Sequence, residues 1–369
     1  MTDPRIDKLA DVLVNYSVAV QPGDKVAVQG GALAAPLLKA VYTRVLQAGG
    51  YPLMIPTLPG TEELFFRHAS DEQLRHVPEP LKLIIETYDV SIRVRSAENT
   101  KSLSSVDPAK MVLRSQAQSG LMKTYMRRAA ASEFRWVLTL FPTNAYAQDA
   151  DLSLSEYEDF VYGACMPDTD DPVGYWRRFS AWQQNIVDWL KGKERVHVVG
   201  PETELQLSIA GRTFINSCGK NNMPSGEVFT GPVEDSVEGH VYFSYPAIHQ
   251  GREVAGVRLW FENGKVVKAT ADKNEDFLLQ TLDTDAGSRY VGEFAIGTNE
   301  GITQFTHQIL FDEKIGGSFH MAVGAGYPET GSKNESAIHW DMICDLRDGG
   351  EIWVDDELLY QNGKFAIEF

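Results

Sequence analysis

Cysteine is scarce in this chain, positive charge is outnumbered, and no long apolar run exists. Only Cys165, Cys218 and Cys344 occur among the 369 residues. That odd number with no paired spacing argues against a disulfide framework and for a reducing, cytoplasmic setting. With no Cys-x-x-Cys pair, a cysteine zinc knuckle is excluded. No run of about 18 apolar residues is present, so no transmembrane helix is expected. The opening residues Met1-Thr2-Asp3-Pro4-Arg5-Ile6-Asp7-Lys8 lack a basic patch followed by an apolar stretch, so no secretion signal is expected. Lysine and arginine number 34 against 51 acidic residues, for a formal net charge of -17. Such a surface does not attract nucleic acid or anionic membranes, and neither is expected as a partner. It suits a site for cations or amines, or simply a solvated acidic exterior. Gln29-Gly30-Gly31 lacks the rest of a GxGxxG loop, and no Gly-x-Ser-x-Gly elbow occurs. A dinucleotide cofactor and a serine nucleophile are both disfavoured.

Hydrophobic residues make up 43 % of the chain, ample for packed cores, and the length suggests two domains. Ile6, Leu9, Leu13 and Tyr16 recur at helical spacing over residues 5–17. Pro22-Gly23-Asp24 then marks a turn, Lys25 to Gln29 a strand broken by Gly30-Gly31, residues 33–47 a helix ended by Gly49-Gly50, and Tyr51 to Pro56 a second strand. This strand–helix–strand unit is the element of a parallel sheet. Leu83 to Val90 and Arg135 to Leu140 are further strand candidates. Pro172 to Lys191, rich in Tyr, Trp and Phe, reads as a core helix closing the first domain. From Arg195 the texture changes to short strands: Val196–Val199, Glu204–Ile209 with a turn at Ala210-Gly211, and Val254–Phe261. Asn263-Gly264 and Asn362-Gly363 are hairpin signals. The expected fold class is α/β: an N-terminal α/β domain over residues 1–194 with a mainly parallel sheet, and a C-terminal α+β domain over residues 195–369.

Chemistry-bearing residues concentrate in the second half. His320, Tyr327, His339 and Asp341 lie within 22 residues, among glycines and small side chains. Upstream, Gly226-Glu227 and Gly292-Glu293 each place a carboxylate after a glycine, which permits close backbone approach and unusual dihedrals. Glu293, flanked by Phe294, Ala295 and Ile296, needs a partner if buried; a metal is one, Arg289 another. On a strand His339 and Asp341 point to the same side. Imidazoles, carboxylates and a phenol are the groups used by a hydrolytic two-metal site. His320, His339 and Asp341 alone would equally make a two-histidine, one-carboxylate face for iron(II). His68, His76, His197, His240, His249 and His307 read as structural or exposed. Arg252, Arg258 and Lys314 read as surface ion pairs, with substrate binding or charge balance at the site as the other possibility.

The chain resembles the thermophilic-type metallo-aminopeptidases, the family of aminopeptidases T and S and PepS-like enzymes, over nearly its full length. The resemblance rests on Asn15-Tyr16-Ser17, Pro22-Gly23-Asp24, Ala48-Gly49-Gly50 and Phe141-Pro142-Thr143. It is most specific in Pro224 to Pro232, Gly292 to Asn299, Phe311 to His320 and Ser336 to Asp341. It implies metal ligation by Glu227, Glu293, His320, His339 and Asp341, with Glu293 bridging, and Tyr327 as the site tyrosine. It further implies a C-terminal domain carrying a pair of divalent ions (zinc, cobalt or manganese), a homodimer, and peptides with a free N-terminus as substrates. Two such ions, about 3.5–4 Å apart, activate a water between them for attack on the first peptide bond, with Tyr327 steadying the oxyanion. Glu329 and Glu335 are candidates for the general base. The stretch from Tyr327 to His339 is shorter than in family members. A mononuclear iron ring-cleaving dioxygenase on a related scaffold, and a non-catalytic metal-stabilised protein, are the competing functions; a dioxygenase is not expected to keep both glutamates.

Overall fold

The computed structural model describes residues 3–166 and 169–369. These form two compact units, Met1–Arg177 with Gly219–Pro224, and Arg178–Cys218 with Ser225–Phe369.

In the first unit, helix α1 (Pro4–Asp11) is started by Asp3, whose carboxylate accepts the Arg5 N–H, with Pro4 in the first turn. Both devices satisfy a helix N-terminus. The expected single helix changes at Val12 into a π-helical turn, Val12–Ser17, in which only Asn15 escapes burial. Strand β1 (Lys25–Gly31), helix α2 (Ala35–Gln47) and strand β2 (Tyr51–Thr57) build the expected strand–helix–strand unit, with β1 and β2 parallel. Gly30 and Gly31 do not end the strand, as they still pair with Pro56 and Thr57. The expected strand Leu83–Val90 is corrected. Leu83, Ile84 and Ile85 lie in helix α3 (Glu79–Thr87), and strand β3 (Val90–Arg95) begins only at Val90. A short apolar run fits a buried helix as well as a strand; Pro80 in the first turn decides for the helix. Strand β4 (Arg135–Leu140) falls where expected. The sheet runs β2-β1-β3-β4, completed by Asn222–Met223, and every pairing is parallel. The α/β class holds.

Helix α4 (Pro172–Leu190) does not simply close the first unit. From Arg178 onward it belongs to the second, where Ile186 and Leu190 join a core with Val196, Leu205 and Leu259. The division between units therefore falls at Arg177/Arg178, against an expected 194/195, because the apolar side chains of the helix cover the core that follows it.

The second unit contains an eight-stranded and a five-stranded sheet, with antiparallel pairing in both. Asn263-Gly264 and Asn362-Gly363 adopt positive φ at both positions, as a two-residue hairpin of the favoured twist requires. The expected strand Val254–Phe261 is divided into Arg252–Val254 and Val257–Glu262. The five-stranded sheet holds β5 (Ile215–Ser217), β6 (Glu227–Thr230), β7 (Val291–Gly297), β8 (Ser318–Gly324) and β9 (His339–Asp345), in the order β9-β8-β7-β6-β5.

Gln183 of α4, fully buried, ties this sheet together. Its Nε2 lies 2.6 Å from Asn216 Oδ1, 3.0 Å from the Ser217 carbonyl and 2.9 Å from the Glu227 carbonyl, while its Oε1 accepts from Thr298 Oγ1 at 2.6 Å. Replacing Gln183 with Leu strands several buried polar groups, each costing about 1–3 kcal/mol. Gln183→Leu is therefore expected to lower the free energy of unfolding by about 3 kcal/mol, read in equilibrium urea unfolding as a lower midpoint; an unchanged midpoint would show that these contacts are not limiting.

Candidate metal centre

Alternation along β6–β9 separates two faces. Val228, Phe294, Ile296, Phe319, Met321, Trp340 and Met342 enter the apolar core. The intervening residues, on the other face, are Glu227, Glu293, Ala295, His320, Ala322, His339 and Asp341. Register then decides who meets whom. Ala322 stands opposite both Glu293 and Asp341, Ala295 opposite His320, Gly297 opposite Glu227 and Gly324 opposite His339. Small residues thus occupy the middle of a trough rimmed by ionisable ones.

The two Gly-Glu pairs have a steric cause. Gly226 has φ +131, and a Cβ there would sit 2.7 Å from the Asn299 Cβ. At Gly292 a Cβ would lie 2.3 Å from the Ala325 carbonyl oxygen. The β7–β8 register slips between Val291 and Glu293, an irregularity of the kind that re-aims a side chain.

The five expected ligand residues converge. Glu227 Oε2 lies 3.5 Å from His320 Nε2, which lies 3.5 Å from Glu293 Oε1. The other Glu293 oxygen is 3.2 Å from His339 Nε2, itself 3.4 Å from Asp341 Oδ1. Glu293 therefore offers one oxygen to each histidine. Three groups of donor atoms lie close enough to surround a cation: Glu227, Glu293 and His320; Glu293, His339 and Asp341; Glu313, His320 and Asp341. Glu227 Oε2 is buried without a hydrogen-bond partner among the described residues, a cost that a metal would remove. His339 Nδ1 is 2.7 Å from the Ala325 carbonyl; an N–H donated there leaves Nε2 free to ligate. These residues fit a divalent metal of the kind bound by imidazole and carboxylate. Tyr327 is half-buried, with its ring 5.1 Å from that of His339 and 5.5 Å from that of Phe229.

Burial and charge act against each other throughout the cluster. Burial opposes ionisation of Glu293, but His320 and His339 hold its carboxyl below the ordinary range. Burial likewise opposes the charge on Asp341, and the cations around it, His339 foremost with His320 and Lys314, more than offset it. Burial disfavours charged imidazoles, yet Glu293 and Glu227 raise His320 to about 9. Asp341 and Glu293 raise His339 to about 11. Protonated histidines thus stand in for cations, and metal binding must displace those protons. Burial, reinforced by Glu293 and Asp341, pushes the Tyr327 phenol up and keeps it a hydrogen-bond donor.

Sequence reasoning missed Glu313, and it placed Lys314 on the surface first, with charge balance at the site as the other reading. Glu313 and Lys314 follow the short helix Ile309–Asp312 and are held by a hydrogen bond from the Asn299 N–H to the Lys314 carbonyl, 3.1 Å. Burial pushes the Glu313 carboxyl up to about 7 despite Lys314. The triplet Asp312-Glu313-Lys314 reads as a polar turn, and only the return of the loop carries it to the trough. Glu329 and Glu335 are exposed. Arg289 pairs with Asp283 at 2.8 Å, not with Glu293. Lys314, expected on the surface, is fully buried, whereas Arg258 does pair with Glu202 and Asp272. Among the described residues the other histidines take no part in the three groups.

Comparison with known proteins follows the same line. The profile of the thermophilic metalloprotease (M29) family matches residues 2–365. Aminopeptidase 2 of Geobacillus stearothermophilus is 27 % identical, over 99 % of this chain and 98 % of its own. The structure of wild-type AmpT from Thermus thermophilus superposes with a TM-score of 0.86 at 22 % identity, covering 99 % of each chain. A 2,5-dihydroxypyridine dioxygenase from Pseudomonas putida shares the fold more distantly, with a TM-score of 0.63 at 14 % identity over 100 % of this chain and 99 % of that one.

The loop leading from Tyr327 to His339 is anchored by Asp285. Its Oδ2 accepts the Ala337 N–H at 2.6 Å, and its Oδ1 accepts the Gly287 N–H and the Ser288 and Ser336 hydroxyls, each at 2.9 Å. Led by the Ala337 N–H, these donors hold the carboxyl down at about 2. A depressed carboxylate contributes stability above its unfolded value of about 4, and loses it as pH falls through the folded value. Asp285→Ala should therefore cost about 2 kcal/mol at neutral pH, and wild type and variant should converge as the pH approaches 2. Equilibrium unfolding at a series of pH values measures both, and a pH-independent difference would contradict the assignment.

Proposed function

The chain belongs to the thermophilic metalloprotease (M29) family, and from that membership we propose a metal-dependent aminopeptidase that cleaves the N-terminal peptide bond at a centre of two divalent cations. The observation that carries this reading is Glu293. Its two oxygens face different histidines, and it is common to two of the three donor groups, as a carboxylate shared by two ions must be. Glu227, Glu293 and His320 would hold one cation, and Glu293, His339 and Asp341 the other. Zinc, cobalt and manganese all suit these donors. When bound, such a pair supplies a Lewis acid for the scissile carbonyl and a lowered pKa for the attacking water.

The remaining steps fall to side chains of this chain. Glu313 lies beside His320 and Asp341 with its carboxyl near neutrality, the range suited to a general base at physiological pH. It takes the proton of the attacking water and returns it to the leaving amine. Tyr327 keeps its phenolic proton and donates to the oxyanion of the tetrahedral intermediate. A trough rimmed by carboxylates, in a chain of net charge -17, favours the protonated amine of a peptide N-terminus over anionic substrates.

A one-iron oxygenase would need only His320, His339 and Asp341. Glu227 and Glu293 in the same cluster favour hydrolysis. Chelator-treated protein should lose release of N-terminal residues from short peptides and regain it with zinc, cobalt or manganese, with about two equivalents bound. Glu293→Ala should lower kcat/KM by roughly 10³-fold or more, the loss of several kcal/mol of transition-state stabilisation, with the unfolding midpoint of the metal-free protein little changed. One equivalent of iron with oxygen uptake on a dihydroxylated ring would overturn the reading.

A further inference from the structure

Among the buried polar side chains of the described residues, Lys314 is the one lysine, and it is completely enclosed. A buried ammonium persists only where opposite charge compensates it. Here Lys314 Nζ donates to Glu313 Oε1 and lies 3.7 Å from Glu227 Oε1. The backbone fixes it there: its N–H donates to the Phe311 carbonyl at 2.9 Å, and its carbonyl accepts from Asn299. Glu227 is therefore divided. One oxygen faces a permanent cation; the other, Oε2, faces His320 and has no hydrogen-bond partner among the described residues. Glu293 and Asp341 differ. Among the described residues, their ion pairs are with histidines alone, whose protons a metal displaces.

We propose that Lys314 is a positioning residue that acts as a resident cation and makes the two metal positions unequal. Its ammonium holds Glu227 and Glu313 in the metal-free protein and repels a dication arriving beside Glu227. The Glu293–His339–Asp341 position then fills first and tightly, and the Glu227–Glu293–His320 position second and more weakly. This rests on the two-cation reading above and adds an order of filling and a cause for it.

The test is a titration of the chelator-treated full chain with cobalt(II), read by calorimetry and visible absorption. Wild type should show two steps whose dissociation constants differ by at least about tenfold, the scale of repulsion between close charges in a partly screened interior. His339→Ala should remove the tight step and His320→Ala the weak one. Lys314→Met, similar in length but uncharged, should tighten the weak step at least about tenfold while lowering the thermal midpoint of the metal-free protein. A merely structural lysine would, on removal, weaken both steps. Should Lys314→Met fold only with metal, the holoprotein is stripped with a competing chelator, and slower loss of the second cobalt than in wild type is the expected result. Equal affinities in wild type, or a weak step unchanged or weakened in Lys314→Met, overturn the inference but leave a two-cation centre standing. Binding of one equivalent or none removes the two-cation reading itself.

Discussion

Four carboxylates on one side of one sheet are the constraint around which the second unit is organised. Glu227, Glu293, Glu313 and Asp341 converge at a place where Glu227 and Glu293 are each only 5 % exposed. Left ionised and uncompensated, such a group would cost far more than a domain's net stability. The compensation comes from within the site. His320 and His339 take up protons, Glu313 rises toward neutrality and Lys314 stays charged. A cluster that must borrow protons to remain folded is one that dications can enter with a large gain, since each displaces protons and satisfies several acceptors together.

The backbone makes the cluster possible at little local cost. Antiparallel pairing already satisfies the main-chain groups of β6 to β9, so the trough consists of side chains alone. Because the strand period is two, the face opposite the donors is free to be apolar, and Phe294, Phe319, Met321 and Trp340 bury it. A shift of one residue in any of these strands would exchange donors for core residues. The site and the core are thus specified together. Gln183 behind the sheet and Asp285 beneath the loop to His339 then restrain the places where pairing ends, since strand termini and loops have no ladder to fix them.

Much of this was legible in the sequence, for a physical reason that also marks the limit. His339-x-Asp341 is readable because a two-residue spacing on a strand is a local rule. Gly226-Glu227 and Gly292-Glu293 are readable because a glycine before a buried charge signals close packing, and Asn299 and the Ala325 carbonyl supply it. Asn263-Gly264 and Asn362-Gly363 fix hairpins through their own dihedrals. What escaped was non-local. Glu313 sits in an ordinary polar turn beside Lys314, for which charge balance at the site was only the second reading, and nothing in their neighbours tells that the loop pairs with Asn299 and returns to the trough. The run Leu83-Ile84-Ile85 has too little length for its period to show. Helix α4 looked like the end of one domain because its aromatic face does not reveal which core it covers.

Fold alone leaves the chemistry open, since one scaffold can carry different reactions. Discrimination rests on what stands beside the two histidines and Asp341. A mononuclear oxygenase needs open coordination positions around a single ion and gains nothing from further buried carboxylates, which would only add desolvation cost. Here the opposite holds. Glu293 sits between the histidines with an oxygen toward each, and Glu227, two strands away from His320 across β7, turns an unpartnered oxygen to the same point. In the metal-free protein, protonated His320 and His339 compensate Glu293 and Lys314 faces one oxygen of Glu227, and a cation entering between the two glutamates would take over the part the histidine protons play. The fold therefore gathers more buried acceptors at this point than a two-histidine, one-carboxylate centre uses, and the unpartnered oxygen of Glu227 is one that added positive charge would satisfy.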